Sequence, residues 1–179
     1  MGKKNKRLLI AVGSRHDQAC SIGSFARSER EAMREIFESV DFIEPDAEGL
    51  YPLLAGVANP DYVFFHAPSL QDRRRPWSVL YNALYIRKKF PSAKFISIVH
   101  EFSEAPIHWK ARQILLSRLS SASIVNSKAD YEGIKNHAAK LLRSKLGPTL
   151  SIPEILSDVS VSNISKRRSA VRERLCVEF

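Results

Sequence analysis

Four of the five histidines, His16, His66, His100 and His108, fall in three polar stretches, SRHDQACSIGS, HAPSLQDRRRP and HEFSEAPIH, each directly behind an apolar run. His100-Glu101 ends such a run. There an imidazole or carboxylate could hydrogen-bond a polyhydroxyl ligand such as a sugar, or act as a general base whose pKa burial tunes. A histidine satisfied by loop carbonyls would look the same. His66 stands at the corresponding place behind DYVFF. Gly23 and Ser24 are expected just before the first helix, where free backbone N–H groups and the helix dipole favour an anion such as a phosphate. Arg73, Arg74 and Arg75, beside Trp77, could clamp a phosphate, lie on an anionic membrane, or form a solvated loop.

Several chemistries find no pattern. The stretch HEFSE lacks the second histidine of a zinc-protease helix, and neither a dinucleotide glycine fingerprint nor a phosphate-binding P-loop occurs. No G-x-S-x-G elbow follows an apolar run, and no carboxylate pair suggests glycoside hydrolysis. Cys20 and Cys176 lie too far apart in sequence to suggest a metal pair, so no metal is expected and both read as reduced thiols.

These residues need a scaffold. With 179 residues, 44% of them hydrophobic, the chain can bury about two-thirds of its unfolded surface in one core, and 1–179 reads as one domain. The net charge of +9 implies attraction to anions without choosing among lipid head groups, diphosphates and nucleic acid. No apolar run approaches the roughly 18 residues that cross a bilayer, and Leu8 to Val12 is too short for a secretory signal. A cytosolic protein is expected.

Strands are predicted over 7–13, near Phe42, over 61–66, 94–99 and 122–126, and near 148–152. Helices are predicted around Ala32, Met33, Ile36, Phe37 and Val40, near Tyr51 to Val57, and along Trp77, Leu80, Tyr81, Leu84 and Tyr85. The Trp77 series reads as the apolar, core-facing side of its helix. A further helix is expected to bury Ala111, Ile114, Leu115 and Leu119, and another to be capped by Ser127, with Asp130 favouring its positive end. The basic segment 166–175 reads as a surface helix. Strands alternating with helices predict an α/β fold with a Rossmann-like, doubly wound parallel sheet. Ligands then bind at the carboxyl ends of the strands.

The succession KFISIVHEFSEAP, WKARQILLSRLSSASIVNSKADYEGI and PTLSIPEILSDV resembles the amino-terminal domain of family-four glycosyltransferases of the GT-B fold. The resemblance covers about 7–175 in element order, with specific wording confined to 94–160. It implies one half of a GT-B architecture, with 162–179 opening the interdomain linker. It also implies an acceptor-side domain that serves transfer of a sugar from a nucleotide-sugar donor to a glycan or lipid-linked acceptor in polysaccharide biosynthesis. On this resemblance His100 matches the family histidine that faces the reacting sugar, and Gly23 the loop glycine that approaches the donor phosphates. Arg73, Arg74 and Arg75 match no family motif. The donor-binding half is expected in a missing or separate second domain, so the domain alone would be incompetent. No cofactor is implied, and peripheral contact with the inner face of a membrane is expected if the arginines act there. The competing reading is a basic, noncatalytic module for nucleic acid or a membrane surface. Against nucleic acid, the aromatic residues of the Trp77 helix read as core rather than as base-stacking platforms.

Overall fold

The computed structural model describes residues 4–13, 21–45, 50–67, 77–100, 102–103, 105–125, 127–142 and 149–151. Among the described residues six strands are present: β1 (Lys4–Val12), β2 (Phe37–Ile43), β3 (Tyr62–Ala67), β4 (Lys94–Val99), β5 (Ala122–Val125) and β6 (Thr149–Ser151). Five helices join them: α1 (Ser21–Met33), α2 (Tyr51–Leu54), α3 (Ser78–Lys89), α4 (Ile107–Leu119) and α5 (Lys128–Leu142). The strands form one sheet in the order β2-β1-β3-β4-β5-β6, and every pairing is parallel. This is a Rossmann-like, doubly wound α/β fold. The chain runs outward one way through β2 and the other way through β3 to β6, so the order reverses between β1 and β3.

Side-chain parity along the central strands decides which helix covers which face. Leu8, Ile10 and Val12 of β1, Phe64 of β3 and Ile96 and Ile98 of β4 pack in one cluster with Ala26 and Met33 of α1. The alternate residues Leu9, Ala11, Val63, Phe65 and Phe95 pack with Leu54 of α2, Ala83 and Ile86 of α3 and Leu116 of α4. A third cluster joins Val99 and Val125 to Ile114 of α4 and Ile134 of α5. Both faces of β1, β3 and β4 are buried, which explains their unbroken apolar runs. Each fully buried Phe or Leu there contributes about 1.5–3 kcal/mol relative to exposure.

Three expectations need correction. The first helix lies earlier, over Ser21–Met33, and Phe37 and Val40 belong to β2. Apolar spacing over so few residues suits a helix and a strand equally. On α3, Trp77, Tyr81 and Leu84 point outward at 47%, 67% and 42% exposure. Leu80 and Tyr85 of that series do pack, partly buried, against the core, but its buried residues on α3 are Ala83 and Ile86 from the opposite side. On α4, Leu115 is 37% exposed, and Trp109, Gln113 and Leu116 turn inward. The Ser127 cap is present: the Asp130 N–H donates to Ser127 Oγ at 3.0 Å. The segment 166–175 lies outside the described residues.

Candidate functional site

His66 is the last residue but one of β3, and His100 follows the last residue of β4. In the parallel register His66 stands opposite Ile98. Two residues on along β4, parity brings the His100 side chain to the same face as His66, the face that α1 covers. His66 is fully buried and His100 is 5% exposed. His66 Nδ1 and His100 Nε2 are 3.2 Å apart, and the two rings lie nearly parallel with centroids 5.5 Å apart.

The other nitrogen of His66, Nε2, is 2.8 Å from Glu29 Oε2 on α1. Phe25, one turn earlier on the same helix, sets its ring edge-on to both imidazoles at 5.9 Å. Phe25 itself is 37% exposed.

The chain of contacts assigns proton roles. An ionised Glu29 only accepts, so it takes the His66 Nε2–H. In a neutral pair His66 Nδ1 then accepts from His100 Nε2–H. When the pair carries one more proton, His66 Nδ1–H donates to His100. Glu29, His66 and His100 thus form a continuous path along which a proton can be held or moved between α1 and the end of β4.

The backbone around the pair is fixed from several sides. Gly13, directly after β1, donates its N–H to the His66 carbonyl at 2.8 Å and accepts from Asn82 Nδ2 of α3 at 2.9 Å. A Cβ on Gly13 would come within 2.7 Å of Phe65 Cζ and 3.0 Å of the His66 carbonyl oxygen, so the close approach of β1 to β3 requires glycine. Gln113 Nε2 donates to the His100 carbonyl at 3.2 Å. Beyond His100, Ser103 N–H donates to Asp130 Oδ1 at 2.7 Å, and Lys110 Nζ donates to the Ser103 carbonyl at 3.0 Å.

A second polar group lies on the opposite face. The Arg112 guanidinium sits 4.5 Å from the Trp77 ring centre and 4.7 Å from that of Trp109. Its Nε and Nη1, and Gln113 Oε1, are buried without a hydrogen-bond partner. Burial holds this guanidinium below the usual arginine range. The groove beside it, between Ala67 and Trp109, encloses about 10 Å³, too little for a sugar or nucleotide.

No protein-family model and no curated protein matches this chain.

Of the residues that the sequence singles out, the fold brings His66 and His100 together. Gly23 lies inside the first turn of α1 rather than before it, and it is buried. The space a Gly23 side chain would enter is bounded by Glu44 Oε1 at 3.0 Å and by Arg27, and these two form an ion pair at 2.8 Å. Ser24 is also in α1, and its side chain lies outside the described residues, as do Glu101, Arg73, Arg74, Arg75, His16 and both cysteines. His108 is exposed on the first turn of α4. Among the described residues no three His, Cys, Asp or Glu side chains are arranged to hold a metal ion.

Sequence reasoning missed Glu29 and Phe25. A signal existed: Ile22, Ala26 and Met33 make an apolar stripe on α1, and Glu29 falls in the middle of it. A carboxylate in such a stripe needs a buried partner. His66 is that partner.

Proposed function

We propose that the carboxyl edge of β3 and β4 is the acceptor side of a sugar-transfer site of the GT-B kind. His100 is the residue that faces the reacting sugar, and His66 and Glu29 hold its imidazole. The observation that carries this reading is the 3.2 Å contact between His66 and His100, backed by Glu29. It lies beside the β1/β3 reversal, where doubly wound sheets bind ligands. A histidine held this way offers a hydrogen bond or a proton in a fixed direction, which favours a transition state in which charge develops on oxygen.

On this reading the acceptor is a glycan or a lipid-linked sugar, and the protein works in the cytoplasm. The nucleotide-sugar donor is held by a second α/β domain, in the same chain or another. Gly23 is a weaker candidate for approach to the donor phosphates, because the Glu44 carboxylate beside it would repel them unless Arg27 compensates.

The test follows the histidine ring signals by NMR during titration with glycan acceptors and, separately, with single-stranded RNA. Glycans are expected to move the His66 and His100 signals, and His100→Ala is expected to abolish glycan binding effects at His66. With a donor-binding partner supplied, His100→Ala should lose roughly 100-fold in transfer rate while its melting temperature stays within about 5 °C. Movement with RNA alone, or parental transfer by the folded variant, would overturn the reading.

A further inference from the structure

The outer face of α3 carries an apolar stripe that the fold leaves in contact with solvent. Trp77, Tyr81 and Leu84 are 47%, 67% and 42% exposed, and with Lys88 they fall within roughly 60° of arc on the helix. Ala83 and Ile86, on the opposite side of α3, fill the core, so the stripe is not needed to hold the helix down. Tyr51 of α2, 57% exposed, extends the patch through its ring contact with Tyr85 at 3.9 Å. The Trp77 indole is supported from beneath by Arg112, which also stacks on Trp109. An extended exposed apolar surface of this sort marks a place of contact.

Charge and residue type decide what it contacts. Neither α2 nor α3 contains an Asp or Glu, and the last turn of α3 carries Arg87, Lys88 and Lys89, all exposed. Arg87 is engaged with the Leu119 carbonyl. Lys88 continues the line of the stripe. Protein interfaces are depleted in lysine, whereas tryptophan and tyrosine beside basic residues suit the level of lipid head groups. The net charge of +9 acts in the same sense, because an anionic lipid leaflet attracts basic surfaces.

We propose that the outer face of α3 rests on an anionic lipid surface. Trp77, Tyr81 and Leu84 enter the head-group layer, and Lys88 lies against lipid phosphates. The helix axis then runs along the membrane plane. This inference does not depend on sugar transfer.

The test uses the full chain and flotation with vesicles of phosphatidylglycerol and phosphatidylcholine in equal parts. The protein is expected to float with these vesicles and not with phosphatidylcholine alone. Tyr81→Ser with Leu84→Ser should weaken binding about tenfold or more, and separately Lys88→Gln about fivefold. These side chains are exposed, and circular dichroism checks that both variants fold. The chain has 2 tryptophans, so Trp109→Phe leaves Trp77 as the sole emitter, and its fluorescence should shift to the blue on anionic vesicles. If Trp109→Phe fails to fold, the difference in emission between parent and Trp77→Phe gives the same reading. Absence of flotation by the parent, or equal flotation by folded variants, overturns the proposal. A parental dimer that Tyr81→Ser with Leu84→Ser makes monomeric, without vesicle binding, would assign the stripe to a second copy instead.

Discussion

His66 and His100 are 34 residues apart in sequence, yet their ring nitrogens approach to 3.2 Å because they stand at the carboxyl ends of neighbouring parallel strands with their side chains on the same face. A slip of one residue in the β3–β4 register would send one of the rings to the opposite face. The contact therefore depends on the apolar alternation of Phe64, Ile96 and Ile98 as much as on the histidines themselves.

Glu29 supports the pair, and two substitutions separate its hydrogen bond from its charge. Glu29→Ala leaves His66 Nε2 buried without its partner and is expected to cost about 1–3 kcal/mol in chemical unfolding. Glu29→Gln retains an acceptor oxygen and should cost less. Equal stability of Glu29→Ala and the parent would remove Glu29 from the site.

Gly13 should not tolerate a side chain. In Gly13→Ala the new Cβ meets Phe65 Cζ at 2.7 Å and the His66 carbonyl oxygen at 3.0 Å, and both neighbours belong to a packed sheet. A loss of about 1–3 kcal/mol is expected, as for other overpacked cores. Phe65→Leu in the same chain removes the closer obstruction, so the penalty of Gly13→Ala measured in that background should be smaller. An unchanged penalty would locate the strain at the His66 carbonyl.

The amino-terminal edge of the sheet should respond to acid through Asp61. Its carboxyl is held below its ordinary value of 3.8, first by the hydrogen bond from the Arg7 N–H and then by Lys6, whose Nζ is 2.9 Å away. A depressed carboxyl contributes stability above its unfolded pKa and loses it as pH falls through the folded one. Lys6, raised above 10.5 by the hydrogen bond to Asp61, contributes below that value and loses its share as pH rises through the folded pKa. The stability difference between the parent and Asp61→Asn should therefore be level at neutral pH and shrink below 3.8. Urea unfolding at pH 7 and at pH 3 checks this, and a difference that does not shrink in acid would mean that charge is not involved.

The strands were legible because burial on both faces writes itself as an unbroken apolar run, as in Phe64, Phe65 and the segment Phe95 to Val99. The two histidines were legible for the same reason, since each directly ends such a run. Helix faces were not. On α3 two apolar sides compete, and composition alone does not reveal that the side with Ala83 meets the sheet while Trp77 and Tyr81 stay outside. Glu29 was hidden by the misplacement of α1: with the helix set near Ala32 to Val40, the stripe that makes its carboxylate conspicuous does not exist. The bond between Asp130 and Ser103 joins residues 27 apart, and no local pattern encodes it.

That bond gives the remaining prediction. Asp130 lies in the first turn of α5, where a carboxylate suits the helix dipole, but its Oδ1 accepts from the Ser103 N–H at 2.7 Å. The side chain is 4% exposed, so the charge is screened little by water and the hydrogen bond should be strong. Phe102, fully buried, fastens the same loop: a Cβ on Gly133 of α5 would already be 3.1 Å from its ring. The segment after His100 is thus pinned to α5 at two adjacent residues. Asp130→Ala should release one of them and cost about 1.5–3 kcal/mol, the range for a hydrogen bond to a charged group. Asp130→Asn, which keeps an acceptor but no charge, should fall between the variant and the parent. Hydrogen exchange distinguishes a local effect from a general one: in Asp130→Ala the Ser103 amide should lose protection, while the amides of Phe64 and Ile96 keep theirs relative to the new global stability. A Ser103 amide that remains as protected as in the parent would show that Phe102 alone holds the loop.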